Sequence, residues 1–422
     1  MRAATDHRPS HRNSDHAYRD LFEQLAIEAA WAWLRRSMAL DQPHYTLADI
    51  AGMEHHLAAS LKGLTTSIDL GWECSEPALS LGEPGEQFTA TVIALHTHDV
   101  RRIQTVVETG LNDPRATPGL ISALGWLPGE IAQPWIERLL KGKDLNHKYL
   151  GVAACSIRRE DPGELLTGIL KRDDCRQHAK LHARALRLAG ELRRRDLLPQ
   201  LQTSLGATEP PFAFWANWSS ILLDQRDLVK NLRPFVLKPG PYRARAIQLA
   251  FRVLPIEQGR EWISALAKDP GSVRAVITAA GVLGDPHAVN WLINQMTDLE
   301  HARLAAEAFT LITGIDPDKS KWTPAPQRIP VPSDNPDDND IGLDEDQNLP
   351  WPDTEKIATV WRNHGANFKA GQRYFLGKAI TPEWLKHRII EGNMRQRHAA
   401  ALELALIDPP SRFINTRAKL TP

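Results

Sequence analysis

The amino-acid sequence predicts an all-α protein built as an α-solenoid, a right-handed superhelix of helical hairpins. Apolar residues recur at helical spacing along most of the chain, similar segments return about every 30 residues, and the turns between them carry helix caps. The predicted segments are a disordered tail (1–15), a helical N-terminal region (16–87), a repeat array (88–315), a Pro-rich acidic loop or linker (316–352) and a helical C-terminal cap (353–422).

The balance of charge argues against a dedicated nucleic-acid binder. The 422 residues include 51 lysines and arginines and 51 aspartates and glutamates, so the formal net charge is zero. Proteins that bind nucleic acid usually carry a basic excess, because neutralising phosphates supplies much of their affinity. Nucleic acid is therefore an unfavoured partner for this chain.

Cysteine usage and the lack of long apolar runs predict a cytoplasmic location without membrane association. The three cysteines, Cys74, Cys155 and Cys175, form no CxxC pair and no disulfide framework. The first residues lack the apolar core of a secretory signal, and no run of 18 apolar residues is present to span a bilayer.

Two helices are predicted in the N-terminal region. The first runs from near Ala17 to Ala39, and its apolar residues at helical spacing predict a buried stripe: Leu21, Leu25, Ile27, Ala30, Trp31 and Leu34. The second begins near Thr46, where Asp49 three residues later resembles a capping box. Its predicted apolar side consists of Ile50, Met53, Leu57, Leu61 and Leu64.

The stretch from about 88 to 314 is repetitive. Three segments, at 123–140, 188–205 and 279–296, each combine a small-residue helix end, a short turn and a second amphipathic helix. Gly125 and Gly190 are 65 residues apart, and Gly190 and Gly281 are 91 apart, which fits multiples of a unit of about 30 residues. Roughly six to seven copies fit, and this period with two helices per unit is typical of HEAT-like solenoids.

One turn of the array contains the residues that a helix-to-helix connection needs. In LGDPHA (283–288), Gly284 can adopt the left-handed C-cap conformation, Asp285 can cap the next helix, and Pro286 suits its first position. Small residues such as Ala279 allow neighbouring helices to approach closely. Arg274 and Arg303 are interpreted as solvated.

After the array, the composition changes. Eight prolines lie between 317 and 352, and residues 333–349 contain seven acidic residues and no Lys or Arg. This pattern predicts an exposed loop, so deleting 333–347 is expected to leave the fold intact. A helix should begin at Thr381, with Pro382 at its first position, and another should cover 395–407.

No catalytic, cofactor-binding or metal-ligating residue is predicted. His55 and His56 follow Glu54, but adjacent histidines on a helix point about 100° apart and do not match a zinc-binding helix. The acidic run 334–347 fails the register of a calcium loop, because Ile341 precedes Gly342. Phosphate-loop, dinucleotide-binding and nucleophile-elbow motifs are also lacking. The chain is therefore predicted to be non-enzymatic.

An alternative function centres on FAFWANWSSILLD (212–224). Some DNA glycosylases are built from HEAT-like repeats and use tryptophans and an aspartate in a basic groove, which Trp215, Trp218 and Asp224 could imitate. The competing interpretation is a repeat helix with core tryptophans, and the zero net charge favours it. A lyase acting on a bilin-like chromophore is a third class, suggested only by the repeat type.

Several strings resemble an uncharacterised proteobacterial family of HEAT-like repeat proteins. They are EAFTLITG (307–314), LPWPD (349–353), RYFLGKAITPEWL (373–385), RQRHAAALELAL (395–406) and ALGW (123–126). The resemblance covers the chain from about residue 20, and the family often lies near type VI secretion genes. It implies an adaptor, chaperone or immunity protein that binds a secretion component or effector. The sequence does not identify the binding residues or the oligomeric state.

Overall fold

The computed structural model describes residues 11–316, 345–408 and 413–420, and nearly all of their regular structure is helical. The predicted all-α class is therefore confirmed. The strands found in these residues are β1 (Tyr374–Phe375) and β2 (Lys378–Ala379), which pair antiparallel with Tyr374 opposite Ala379. Within the same residues, every helix is too short or too polar to cross a bilayer.

Contacts divide the chain into two compact units. Of the described residues, unit 1 contains 11–41, 45–188 and 417–420, whereas unit 2 contains 42–44, 189–316, 345–408 and 413–416. The boundary after residue 188 falls within one helix, Ala179–Glu191. The predicted tail residues 1–10 and most of the acidic loop, 317–344, lie outside the described residues.

Unit 1 is built from helices joined by short turns. In chain order they are α1 (His11–Ala39), α2 (Leu47–Thr65), α3 (Ile68–Ser75), a 3₁₀ turn (Pro77–Leu81), α4 (Pro84–Thr97), α5 (Val100–Asn112), α6 (Thr117–Trp126), α7 (Gly129–Lys141), α8 (Leu145–Arg158), α9 (Glu164–Lys171), α10 (Asp173–Gln177) and the start of α11 (Ala179–Glu191). Helix α1 begins at His11, earlier than expected, and α4 runs through the predicted boundary at residue 87.

The capping box predicted at the start of α2 is present. The Thr46 hydroxyl accepts a hydrogen bond from the Asp49 backbone N–H, and the Asp49 carboxylate accepts from the Thr46 backbone N–H at 2.8 Å. These two bonds satisfy donors that the first turn of a helix cannot pair internally. The cap therefore fixes the residue at which α2 begins after the loop that follows α1.

Unit 2 continues from the end of α11 with shorter helices. They are a 3₁₀ turn (Arg195–Leu197), α12 (Leu198–Gln202), α13 (Pro210–Leu222), a 3₁₀ helix (Arg226–Leu232), α14 (Arg233–Leu237), α15 (Arg243–Val253), α16 (Ile256–Leu266), a 3₁₀ turn (Pro270–Ser272), α17 (Val273–Leu283), a 3₁₀ turn (Pro286–Ala288), α18 (Val289–Gln295), α19 (Ala302–Thr313), α20 (Thr354–His364), a 3₁₀ turn (Gly365–Asn367), β1, β2, α21 (Pro382–Glu391) and α22 (Met394–Ile407).

The turn after α17 has the predicted chemistry. Gly284 adopts a left-handed conformation with φ of 71°, and the Asp285 carboxylate accepts from the His287 backbone N–H at 3.1 Å. The Gly284 carbonyl also accepts from the Tyr374 backbone N–H at 2.8 Å, which joins this turn to β1. The predicted start of α21 is confirmed too, because the Thr381 hydroxyl accepts from the Trp384 backbone N–H.

Two arginines predicted to be solvated are instead bound to the end of the acidic segment. Asp346 is 3% exposed, and its two carboxylate oxygens accept from Arg274 at 2.8 and 2.9 Å. Arg303 is also buried and donates to the Asp346 carbonyl at 2.9 Å, while its guanidinium lies over the Trp351 ring. The prediction failed because sequence periodicity does not show which distant carboxylate reaches an arginine.

Replacing Gly284 with alanine should destabilise unit 2 by about 3 kcal/mol. An added Cβ would meet the Tyr374 carbonyl oxygen, and alanine disfavours the positive φ. Urea denaturation followed by circular dichroism measures the change. Gly240→Ala is the matched control, since a Cβ there meets nothing within 4 Å. Equal stability of the two variants would show that the left-handed turn is not required.

Replacing Asp346 with alanine should lower the free energy of unfolding by about 2 kcal/mol, because Arg274 would lose its buried bidentate partner. For the same reason, and contrary to the expectation from sequence, a deletion of 333–347 should destabilise the fold, because it removes Asp346. Glu345→Ala is the control, because Glu345 also pairs with Arg274 but its side chain is 82% exposed. Its removal should cost less than about 0.5 kcal/mol. If the Asp346→Ala and Glu345→Ala variants had the same denaturation midpoint, the ion pair between Asp346 and Arg274 would not contribute to stability as expected.

The stability of unit 1 should fall as the pH drops below 6.5. Burial of His182 in α11 lowers its pKa from 6.5 to about 4, so between these values the unfolded chain binds a proton that the folded chain does not. From pH 7.5 to pH 5 the loss should be about 2 kcal/mol. Urea denaturation at both pH values should show that the His182→Gln variant loses less unfolding free energy than the wild type. If the variant loses as much as the wild type, His182 is not the source of the pH dependence.

Candidate functional site

Helix α1 buries a different face from the one predicted. Its core side consists of Phe22, Ala26, Ala29, Ala30, Trp33, Arg36 and Ala39. The Trp33 indole N–H donates to Ser122 Oγ at 2.8 Å, and its ring stacks on Phe88 with centroids 5.5 Å apart. Of the predicted stripe, Ala30 is buried, but Ile27 and Trp31 are exposed, so the prediction of the buried face was wrong.

The opposite face of α1 presents large apolar side chains to the surface. Ile27 is 70% exposed, Trp31 58%, Leu34 42% and Met38 57%. Steps of four, three and four residues place them on one narrow arc of the helix, which we name the α1 stripe. Six of the twelve large apolar side chains exposed in the described residues belong to α1, so the exposure is concentrated there.

A buried ion pair fixes the rotation of α1 about its axis. Arg36 Nη2 and Glu54 Oε1 of α2 are 2.8 Å apart, and the Glu54 side chain has no exposed area. Arg36 also donates to the carbonyls of Arg417 and Ala418, while Glu54 Oε2 accepts from the Leu420 backbone N–H at 2.8 Å. Because these partners satisfy both charged groups, α1 is held with the stripe pointing away from the core.

A groove of about 740 Å³ lies between α1 and α2, beside the stripe. Helix α1 lines it with Glu28, Trp31, Ala32 and Arg35; the rest of the lining is Tyr45, Ala48, Asp49, Gly52, Met53, His56 and Ser60. The Arg35 guanidinium carbon lies 4.6 Å from the centroid of the Trp31 ring, a cation–π contact. The lining of the groove therefore combines apolar side chains with charges of both signs.

A second cavity, of about 260 Å³ in unit 1, is lined by basic side chains around Trp126. Its cations already have partners. Arg158 donates to the carbonyls of Leu124 and Leu127 and pairs with Glu160 at 2.9 Å, and the Lys419 ammonium lies over the Trp126 ring. The segment 417–419 forms part of the cavity wall, so these basic side chains are engaged in contacts within unit 1.

The tryptophans of the alternative site are core residues of unit 2. Trp215 and Trp218 of α13 are 8% and 7% exposed, and their ring centroids are 5.3 Å apart. Asp224 is exposed after the helix and pairs with Arg226 at 3.1 Å. Buried indoles cannot stack on a nucleobase without opening the core, so this geometry favours the interpretation as a core helix.

The histidine pair considered as a metal helix lies on the exposed part of α2. The His55 and His56 ring centroids are 6.4 Å apart at an interplanar angle of 72°. In the described part of the chain, no three histidine, cysteine or carboxylate side chains come together as metal ligands.

The sequence contained a signal for the exposed face that the prediction did not use. Helix α1 carries two apolar stripes, an alanine-rich one with Phe22 and Trp33, and the larger one at Ile27, Trp31, Leu34 and Met38. A helix packed on one side needs only one of these stripes to be buried.

No protein-family model and no curated protein sequence matches the chain.

Proposed function

We propose that this chain is a non-enzymatic protein-binding scaffold whose interaction site is the α1 stripe and the adjoining groove. The exposure of four large apolar side chains on one arc of α1 carries the proposal. Contiguous exposed apolar surface marks interaction sites in folded proteins, and tryptophan is enriched among the residues that dominate binding energy.

The charges around the stripe favour a protein partner over nucleic acid. Glu28 and Arg35 both line the groove, and Asp49 adds a further negative group. A nucleic-acid site would instead need a continuous basic surface to neutralise phosphates. A surface with both signs of charge beside an apolar strip matches the composition of protein interfaces.

The contacts within each unit support stacking as HEAT-like hairpins, which is part of this proposal. In unit 1, α4 contacts α6 and α6 contacts α8; in unit 2, α15 contacts α17 and α17 contacts α19. Neighbouring repeats of a solenoid contact each other through alternate helices in this way. The sequence resemblance adds a cytoplasmic role as adaptor, chaperone or immunity protein in type VI secretion to the proposal.

The Trp31→Ala variant should lose binding to the partner while remaining folded. Truncating an exposed anchor residue typically costs about 2 kcal/mol of binding, or about 30-fold in affinity. Tagged wild-type and variant proteins would be purified from the native cell, and the proteins that co-purify would be quantified by mass spectrometry. Circular dichroism and thermal denaturation check that the fold is unchanged.

Ile390→Ala is the matched control, because Ile390 is 66% exposed on α21 in unit 2. A partner recovered with the control but depleted with Trp31→Ala supports the proposed site. Equal recovery with both variants would show that the stripe does not bind it. Nucleic acid in place of protein in the eluate would overturn the protein-binding function.

A further inference from the structure

We propose that a second copy of this chain covers the α1 stripe, with the two α1 helices packed antiparallel about a two-fold axis. The inference rests on the proposed function, since it takes the same face as a protein interface and names its occupant. The spacing of the stripe and the positions of the charges beside it carry the argument.

The stripe has the spacing of a two-helix seam. Ile27, Trp31, Leu34 and Met38 alternate steps of four and three, which is the a/d pattern of paired helices. The pattern stops toward the N-terminus, where Gln24 and Asp20 would be the next seam positions. The apolar seam therefore spans 27–38, a length of about 16 Å.

The midpoint of this seam lies between Trp31 and Leu34. A two-fold axis there places Trp31 of each copy opposite Leu34 of the other, and Ile27 opposite Met38. The two Trp31–Leu34 contacts then pair a wide ring with a narrower side chain, and the same patch serves both copies, as a closed two-fold interface requires.

Charged residues favour the antiparallel arrangement. Glu28 and Arg35 are both exposed and lie on the same flank of the stripe, seven residues apart. In the antiparallel pair, Glu28 of each copy comes beside Arg35 of the other, which gives two opposite-charge contacts. A parallel pair would instead bring Glu23 of one copy beside Glu28 of the other, a repulsive contact.

The other flank of the stripe carries small side chains. The corresponding positions are Ala30, which is buried, and Ser37, which is half-buried. Small side chains there let a second helix approach closely without displacing a long side chain.

An interface of this length is small, so we expect a monomer–dimer equilibrium with a dissociation constant on the order of micromolar.

Sedimentation of the purified full chain between about 1 and 100 µM tests the proposal. The wild type should show a mass that rises from monomer to dimer with concentration. Leu34→Glu should remain monomeric at every concentration, because it places a carboxylate in the seam. Ile390→Glu, on an exposed apolar residue of unit 2, should dimerise like the wild type.

Charge reversal gives a second test at exposed positions that should not affect folding. Glu28→Arg and Arg35→Glu should each weaken dimerisation by about tenfold, because each creates two like-charge contacts. Mixing these two variants should restore a dimer, since both contacts between positions 28 and 35 of the two copies then join opposite charges. The double variant Glu28→Arg with Arg35→Glu should also dimerise with near wild-type affinity.

The outcomes separate this proposal from the proposed function. A wild type that stays monomeric at about 100 µM, a dimer unaffected by Leu34→Glu, or no rescue in the mixture would each overturn self-association. If co-purification of a different protein still depends on Trp31, the protein-binding function stands with another occupant. If neither self-association nor co-purification depends on the stripe, both proposals are wrong.

Discussion

The buried ion pair between Arg36 and Glu54 is the constraint on which the surface of unit 1 depends. Removing both charges from water is costly, and the cost is offset only because carbonyls of the 417–418 segment accept from Arg36 and the Leu420 N–H donates to Glu54. Since Arg36 must face α2, the rotation of α1 is fixed. That rotation turns Ile27, Trp31, Leu34 and Met38 away from the core.

The structure could be predicted from sequence where local chemistry decides the backbone. The capping box at Thr46, the left-handed Gly284 and the cap at Thr381 were all predicted, because each depends on residues within one turn of the chain. Helical periodicity predicted the helices for a similar reason. It also predicted that Ile27, Trp31 and Leu34 share a face.

Periodicity could not predict which face of α1 is buried. The alanine-rich side lets α1 approach its neighbours closely, with Trp33 against Phe88, and close packing of small residues buries a face that looks weakly apolar in sequence. The same limit explains Arg274, whose partner Asp346 lies 72 residues away. The candidate site was missed because contacts between residues distant in sequence decide which of the two apolar faces of α1 is buried.

Several arginines in both units bind carbonyls at the ends of helices. Arg158 donates to two carbonyls at the end of α6, Arg226 donates to the Leu406 carbonyl at 2.6 Å, and Arg373 donates to the Leu283 carbonyl at 3.0 Å. The last carbonyls of a helix lack internal partners, and an arginine fork can satisfy several of them. Counting charges therefore overstates how much positive charge is available to an outside ligand.

Folding alone does not account for the α1 stripe. At 42–70% exposure, these four side chains bury little area within their own chain, so polar residues in their place would cost the fold little. An exposed tryptophan among three aliphatic or thioether side chains also raises the risk of non-specific association. In the proposed dimer a second copy would cover this surface. Its antiparallel α1 would present the same two charges in the opposite order, so each Glu28 would lie beside an Arg35.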